Sequence, residues 1–231
     1  GSTIVNWFIA ILFSIVLFGT LPVAGEEALV AENLRCDYRE NPRGIDVQPP
    51  RLSWTLRSEL YAQNQKAYRV LVASNPEKLA AEIGDVWDSG VIDSYAMFQI
   101  PYNGAELKSN SDYFWKVCVW NQHGDSAWSE SAFWSTGLFK KSEWSAQWIG
   151  LDRAVGDDDP DAEGRPLSAR MLRKDFSLAK KIKRATVFVS GLGLYELYLN
   201  GAKVEDFVLA PGLTEYNDRT FYNTFDVTEQ V

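Results

Sequence analysis

The chain has 231 residues, 46% hydrophobic and 13% aromatic, which is enough apolar surface for one or two cored domains and too much for a disordered or low-complexity protein. Its 31 acidic and 23 basic side chains give a formal charge of −8. That balance offers no electrostatic footprint for nucleic acid and repels an anionic membrane surface, so neutral partners are expected.

The first 25 residues differ in kind from the rest. Residues 7–18, "WFIAILFSIVLF", form an apolar run broken only by Ser14, followed by Gly19, Pro22 and the small-residue end Val23-Ala24-Gly25. This pattern predicts a signal peptide over 1–25, cleaved after Gly25, and hence an exported chain, periplasmic or extracellular, with no membrane contact after cleavage. The run is short of the ~20 residues a bilayer span needs; residues 4–23 just reach that length and leave a retained anchor as the alternative. Two cysteines in an exported chain invite a disulfide. Strand parity argues against it: Cys36 shares a face with Leu34 and Tyr38, whereas Cys118 lies opposite Tyr113, Trp115, Val117 and Val119, so free thiols are expected.

Residues 26–140 read as short strands. "RLSWTLR" places Leu52, Trp54 and Leu56 on one face, "AYRVLVAS" places Tyr68, Val70 and Val72, and "DYFWKVCVWN" places Tyr113, Trp115, Val117 and Val119. One helical candidate, residues 76–84 ("PEKLAAEIG"), carries Leu79, Ala80 and Ile83 and is expected to end on Gly84. About seven strands in this length predict a β-sandwich. The series Leu107-x-Ser109-x-Ser111-x-Tyr113-x-Trp115 resembles a fibronectin type III domain at its tyrosine corner, where a Tyr hydroxyl bonds to upstream backbone and fixes the strand entry. A last hairpin is expected to turn at His123-Gly124, with Trp128 and Trp134 as packing residues.

Residues 141–170 form a linker and acidic loop, with Trp144 and Trp148 expected at a domain junction. The run 156–164, "GDDDPDAEG", lacks the EF-hand spacing and reads as a solvated loop, so no metal site is assigned. A second β-rich block follows over 171–231. Its pieces are "MLRKDFSL", "RATVFVSGLGLYELYLNGAKV", "DFVLAPG" and "TFYNTFDVT". Tyr195, Leu197 and Leu199 alternate with Glu196 and Tyr198 ahead of Asn200-Gly201, the strongest hairpin signal in the chain. Five strands at most are too few to close a jelly roll. "FDVTEQV" is expected to open a new element continued beyond Val231. The predicted fold is therefore all-β, a fibronectin type III-like β-sandwich followed by the first strands of an incomplete jelly-roll β-sandwich.

These blocks, with "SEWSAQWIG" and "LGLYELYLNGAKVEDFVLAPGLTEYNDRTFYNTFDVT", resemble the N-terminal region of bacterial α-L-rhamnosidases. The resemblance implies an accessory part of an enzyme that removes terminal α-L-rhamnose from glycosides or pectic polysaccharides with inversion. Its catalytic carboxylates would lie in a barrel this chain does not carry, and its partner would be a rhamnose-containing glycan met through that barrel. Inversion needs two carboxyls about 6.5–9.5 Å apart, one protonated and one ionised. Glu196, Glu205, Asp206 and Glu215 read instead as exposed strand or turn carboxylates, so no catalytic residue and no cofactor is assigned. Some jelly-roll domains of the family bind rhamnose with calcium through an Asp-Asn pair; here Leu192 and Gly193 occupy those places, and Leu213 stands where an aromatic often follows "APG". Tyr216, Asp218 and Arg219 are the remaining substrate-binding candidates. Trp54, Tyr113, Trp115, Asn200 and Gly201 are structural. A stand-alone secreted β-sandwich that binds carbohydrate or protein without catalysis is the competing reading.

Three other patterns are set aside. "GLGLYE" has no third glycine and leads into a strand, unlike a dinucleotide fingerprint. His123, the single histidine, sits in a glycine turn and has no triad around it in sequence. No Cys/His cluster has zinc spacing.

Overall fold

A computed structural model describes residues 29–150 and 169–231. The predicted leader over 1–25 and the acidic run over 156–164 lie outside the described residues. Among the described residues, no helix is long and apolar enough to cross a membrane.

The first block forms β1 (Val30–Cys36), β2 (Arg51–Arg57), β3 (Gln65–Ala73), β4 (Trp87–Asp88), β5 (Ile92–Asp93), β6 (Ile100–Pro101), β7 (Asp112–Asn121), β8 (Ser126–Trp128) and β9 (Ala132–Ser135), with a single helix, α1 (Pro76–Ala80), after β3. One sheet has the order β1-β2-β6; the other runs β4-β3-β7-β8, with β5 also pairing β3 and β9 also pairing β7. Every strand pair is antiparallel. The period-two faces meet between the sheets. Leu52 and Trp54 from β2, Tyr68, Val70 and Val72 from β3, and Tyr113, Trp115, Val117 and Val119 from β7 share one buried core with Trp134.

Strict alternation breaks at one place in β1. Ala31, Leu34 and Cys36 all point inward although the first two stand three positions apart, because the register shifts between Glu32 and Arg35 at Asn33, whose φ is +51°. A β-bulge of this kind resets the parity and bends the strand around the core. Cys36 and Cys118 are both free and buried, the first in the inter-sheet core and the second on the outer side of β7 opposite Trp128.

The outer face of β3 and β7 is covered by α1. Leu79 packs on Leu71 and Ala73, with Phe114 and Trp128 at the margin. Asn75 caps the helix by accepting from the Lys78 N–H at 2.9 Å. The expected end at Gly84 is corrected: the helix stops at Ala80, and Ile83 is 51% exposed. Glu82 takes the left-handed cap position at φ +57°, with its N–H on the Leu79 carbonyl at 3.0 Å and the Ile83 N–H on the Lys78 carbonyl at 2.9 Å. Gly84 serves close approach instead, since a Cβ there would lie 2.4 Å from the Trp87 carbonyl oxygen.

The second block forms β10 (Thr186–Ser190), β11 (Tyr198–Leu199), β12 (Ala202–Lys203) and β13 (Tyr222–Asp226). β10 pairs β13 and β11 pairs β12, each antiparallel. Asn200 (φ +49°) and Gly201 (φ +84°) make the two-residue turn, both left-handed as a type I′ turn requires. Leu197 and Leu199 face a small core of Val204, Phe225 and Val227. Glu196 and Tyr198 face out, and Glu196 pairs with Lys203 at 2.8 Å.

Three expectations fail in this block. Residues 171–178 are not a strand: they find no ladder partner among the described residues, and Met171, Leu172, Phe176 and Leu178 are all at least half exposed. "DFVLAPG" contributes one isolated bridge, Tyr195 to Ala210, in place of a strand. "FDVTEQV" does not open a new element. Phe225 and Asp226 end β13, the Val227 N–H bonds back to the Ala185 carbonyl at 2.9 Å, and Thr228–Gln230 is a 3-10 turn.

Candidate functional site

The three substrate-binding candidates lie on one exposed loop. The Tyr216 hydroxyl accepts from the Gly193 N–H at 2.9 Å, tying this loop to the one that follows β10. The N–H groups of Asp218 and Arg219 both reach the Glu215 carbonyl at 3.0 Å. The Arg219 guanidinium lies 5.8 Å from the centre of the Phe221 ring. No hydrogen bond or ion pair joins the three side chains, so the loop is held by its own backbone and does not gather them into a pocket. Leu192 and Leu213 are 62% and 77% exposed at its flanks, apolar where a sugar site with a metal would place oxygens.

The structural residues sit in firmer surroundings. The Tyr113 hydroxyl accepts from the Lys108 N–H at 2.8 Å, with Leu107 buried beside it. The Tyr113 ring stacks on Trp134 at 5.5 Å, and Trp115 meets the same indole edge-on at 6.4 Å. Trp54 donates to the Gln65 Oε1 at 2.9 Å, while the Gln65 Nε2 donates to the carbonyls of Ser94 (3.0 Å) and Ala96 (2.9 Å). A buried amide satisfied on both ends ties β2 and β3 to the loop before β6.

Between the two blocks runs an open groove of about 1420 Å³. It gathers carboxylates from different elements, Asp85, Glu106 and Asp112 from the first block with Glu205, Asp226 and Glu229 from the second, as an acid–base pair would need. Each acid in it is committed or solvated. Asp112 pairs with Arg184 at 3.2 Å. Asp226 is partly buried, which alone would raise its pKa, but the Thr228 hydroxyl (2.6 Å) and amide (3.1 Å) with the Arg43 guanidinium (3.1 Å) hold it below the usual carboxylate range. Asp85 is lowered in the same way, burial being outweighed by Lys78 at 2.7 Å and by the Ser74 amide and hydroxyl. Glu106, Glu205 and Glu229 are exposed. A general acid must be kept protonated near neutral pH, and the surroundings of Asp226 and Asp85 push the opposite way.

One carboxyl among the described residues is shifted upward. Burial raises Asp37 above its ordinary value, partly offset by the Arg51 N–H at 3.2 Å. It lies at the β1–β2 end of the sandwich, outside the groove, where Asp46 adds to the rise and Arg39 and Arg51 oppose it. The burial of Tyr102 pushes its hydroxyl to about 12, with Tyr113 adding to the rise, so Tyr102 is not a proton donor for chemistry near neutrality. No group of three or more His, Cys, Asp or Glu able to hold a metal occurs among the described residues.

The junction itself was not anticipated residue by residue. Tyr222 from β13 inserts into the sandwich end, its hydroxyl accepting from the Leu138 N–H at 3.2 Å. Trp144 packs edge-on against Tyr222 (5.2 Å) and Phe188 (6.4 Å), as expected of a junction residue. Trp148 does not take part in it and is 64% exposed, because the chain turns away after the 3-10 turn at Lys141–Glu143. Arg184 donates to the Asn110 carbonyl and, at 2.8 Å, to the Asn110 Oδ1. The available signal was glycine. A Cβ at Gly44 would meet the Thr224 hydroxyl at 2.3 Å, and one at Gly137 would meet the Tyr222 hydroxyl at 2.1 Å.

Fold and junction together define an immunoglobulin-like sandwich in contact with the opening of a second β domain. Residues 31–140 match a family model described as the Rha78A-like, N-terminal immunoglobulin domain, and residues 180–231 match the α-L-rhamnosidase N-terminal domain. The chain is similar to a curated α-L-rhamnosidase of Formosa agariphila, 32% identical over 96% of this chain and 25% of that protein, and to one of Streptomyces avermitilis, 36% identical over 73% and 18%. Among solved structures it superposes on the α-L-rhamnosidase of Dictyoglumus thermophilum with a TM-score of 0.76, 36% identical over 88% of this chain and 24% of that one. The Streptomyces avermitilis enzyme complexed with L-rhamnose gives 0.52, at 29% identity, over 88% and 21%.

The chain belongs to the α-L-rhamnosidase family and corresponds to its N-terminal region. It spans between 18% and 25% of the length of those relatives.

Proposed function

We propose that this chain is the accessory N-terminal part of an exported α-L-rhamnosidase that hydrolyses terminal α-L-rhamnose from glycosides or pectic polysaccharides with inversion of configuration. On this reading the sandwich and the block after it bind and orient the catalytic portion, and the reacting carboxyls lie outside the described residues. The observation that carries the proposal is the state of the interdomain groove. Its acids come from both blocks, yet each is ion-paired, hydrogen-bonded as the anion or open to water. An inverting site needs one carboxyl kept neutral by its surroundings and a second placed to activate water.

The test is release of rhamnose from an aryl α-L-rhamnoside at mildly acidic pH. The chain alone is expected to match a mock purification over hours, and the same residues joined to the remaining length of a relative are expected to turn over. Rhamnose release that co-elutes with the chain and disappears on Asp112→Asn or Asp226→Asn would overturn the accessory reading. Export is tested separately, by N-terminal sequencing of protein recovered from the periplasm or medium, with cleavage after Gly25 expected.

A further inference from the structure

The hairpin that leaves β1 carries a residue its backbone does not favour. Cys36 and Arg39 exchange both N–H···O bonds, at 3.0 and 3.1 Å, around Asp37 (φ +45°) and Tyr38 (φ +68°). That is a two-residue turn with both centres left-handed, for which Asp-Gly is the unstrained solution. Asp37 fits the pattern; Tyr38 does not. A bulky side chain in the left-handed region costs conformational energy that packing normally has to offset. Here packing offsets little, because the Tyr38 ring is 55% exposed.

A second exposed ring stands beside it. Phe98, 62% exposed, lies 5.8 Å from Tyr38 centre to centre, with the two planes at 59°. The next residue, Gln99, is also left-handed, at φ +54°. Its amide donates to the Tyr38 hydroxyl and accepts from the Arg51 guanidinium at 3.3 Å, and its N–H is held by the Ser53 hydroxyl at 3.0 Å. Strained backbone, two solvent-facing rings and a fixed chain of planar hydrogen-bonding groups thus coincide at one corner of the β1-β2-β6 sheet. None of them is explained by the core.

We propose that this corner is a carbohydrate-binding platform for an uncharged glycan, separate from any hydrolytic site. The apolar C–H face of a pyranose packs on an exposed ring, and rings inclined to one another follow the twist between successive sugars of a chain. The Arg51 guanidinium, the Gln99 amide and the Tyr38 hydroxyl supply donors and an acceptor at the ring edges for sugar hydroxyls. The flanking charges are of both signs, Asp37 and Glu40 with Arg35, Arg39 and Arg51, which favours a neutral ligand over an anion. The apolar part of the corner is confined to two part-exposed rings of about 150–250 Å² each, close to the face of one or two sugar rings.

The platform goes beyond the proposed function, since it requires no catalysis and survives a negative hydrolysis assay. The experiment is affinity electrophoresis of the full chain in gels containing xyloglucan, galactomannan, arabinogalactan or polygalacturonate, followed by titration calorimetry with whichever neutral polymer retards it most. Retardation by at least one neutral polymer is expected. Phe98→Ala and Tyr38→Gly are each expected to weaken it by about tenfold, the loss of one stacked ring. Tyr38→Gly carries a second readout: it should raise Tm, because glycine adopts the left-handed turn without strain. A ring kept for binding loses affinity and gains stability on this change, whereas a ring kept for folding loses stability. Absence of retardation by every neutral polymer, retardation by polygalacturonate alone, unchanged binding in both variants, or a lowered Tm in Tyr38→Gly would each overturn the proposal.

Discussion

The two blocks are built from the same period-two strands and differ in what those strands close around. In the sandwich, β1-β2-β6 and the sheet centred on β3 and β7 bury Trp115, Trp134, Leu52, Val70, Val72, Val117 and Val119 to essentially zero exposure. In the second block the buried core is Val204, Phe225 and Val227, with half-buried neighbours, beneath two separate two-stranded sheets. Strand pattern is therefore not what separates an autonomous domain from a dependent one; coverage of the inner face is. Two-stranded sheets are marginal alone, and here the sandwich supplies part of the missing cover through Trp144, Leu138 and the backbone around Gly44 and Gly137.

The sharpest way to break this comparison is to separate the blocks. Residues 171–231 alone are expected to give no cooperative urea transition and to aggregate, since Met171, Val208, Leu209 and Leu213 are each at least three-quarters exposed even with the sandwich present. A soluble monomer that melts in one step would show that the second core suffices. Next in size is Trp134→Ala. This indole is fully buried and touches Tyr102, Tyr113 and Trp115, so its removal is expected to cost about 3–5 kcal/mol in urea unfolding. A loss under 1 kcal/mol would mean that the core collapses around the gap.

The junction is probed by Gly137→Ala. Its Cβ would fall 2.1 Å from the Tyr222 hydroxyl, and displacing that ring also removes its bond from Leu138 and its contact with Trp144. A loss of about 1–3 kcal/mol is expected. The double change Gly137→Ala with Tyr222→Phe should recover part of it by removing the atom in conflict, and additive losses would place the strain elsewhere. Smallest are the tyrosine hydroxyls. Tyr113→Phe removes the buried acceptor of the Lys108 N–H and is expected to cost about 0.5–1.5 kcal/mol. Tyr216→Phe removes an acceptor that is exposed, where water replaces it, and should cost less. Equal, negligible effects at both positions would remove Tyr113 from the role of strand-entry lock.

Much of the sandwich was legible in the sequence because its code is local. Alternation in residues 51–57, 67–74 and 112–121 names the inward faces, and Asn200-Gly201 names its turn by the φ values it tolerates. The bulge at Asn33 was not legible, since only the pairing of β1 with β2 reveals the shifted parity. Nor was the helix end at Ala80, because Glu82 takes the left-handed cap position while Gly84 is reserved for the approach of the Trp87 carbonyl.

By itself the sequence determined the all-β class, the faces of the long strands and the tyrosine that bonds upstream. Tertiary structure alone decided that 171–178 pairs with nothing described, that Val227 belongs to the second core, that Trp144 enters the junction while Trp148 does not, and that Tyr38 and Phe98 meet in solvent. The physical reason is range. A turn or a strand face is set by neighbours a few residues away, whereas Arg184 finds Asp112, and Tyr222 finds Leu138, across more than 70 residues of chain, and such contacts exist only once both blocks have folded against each other.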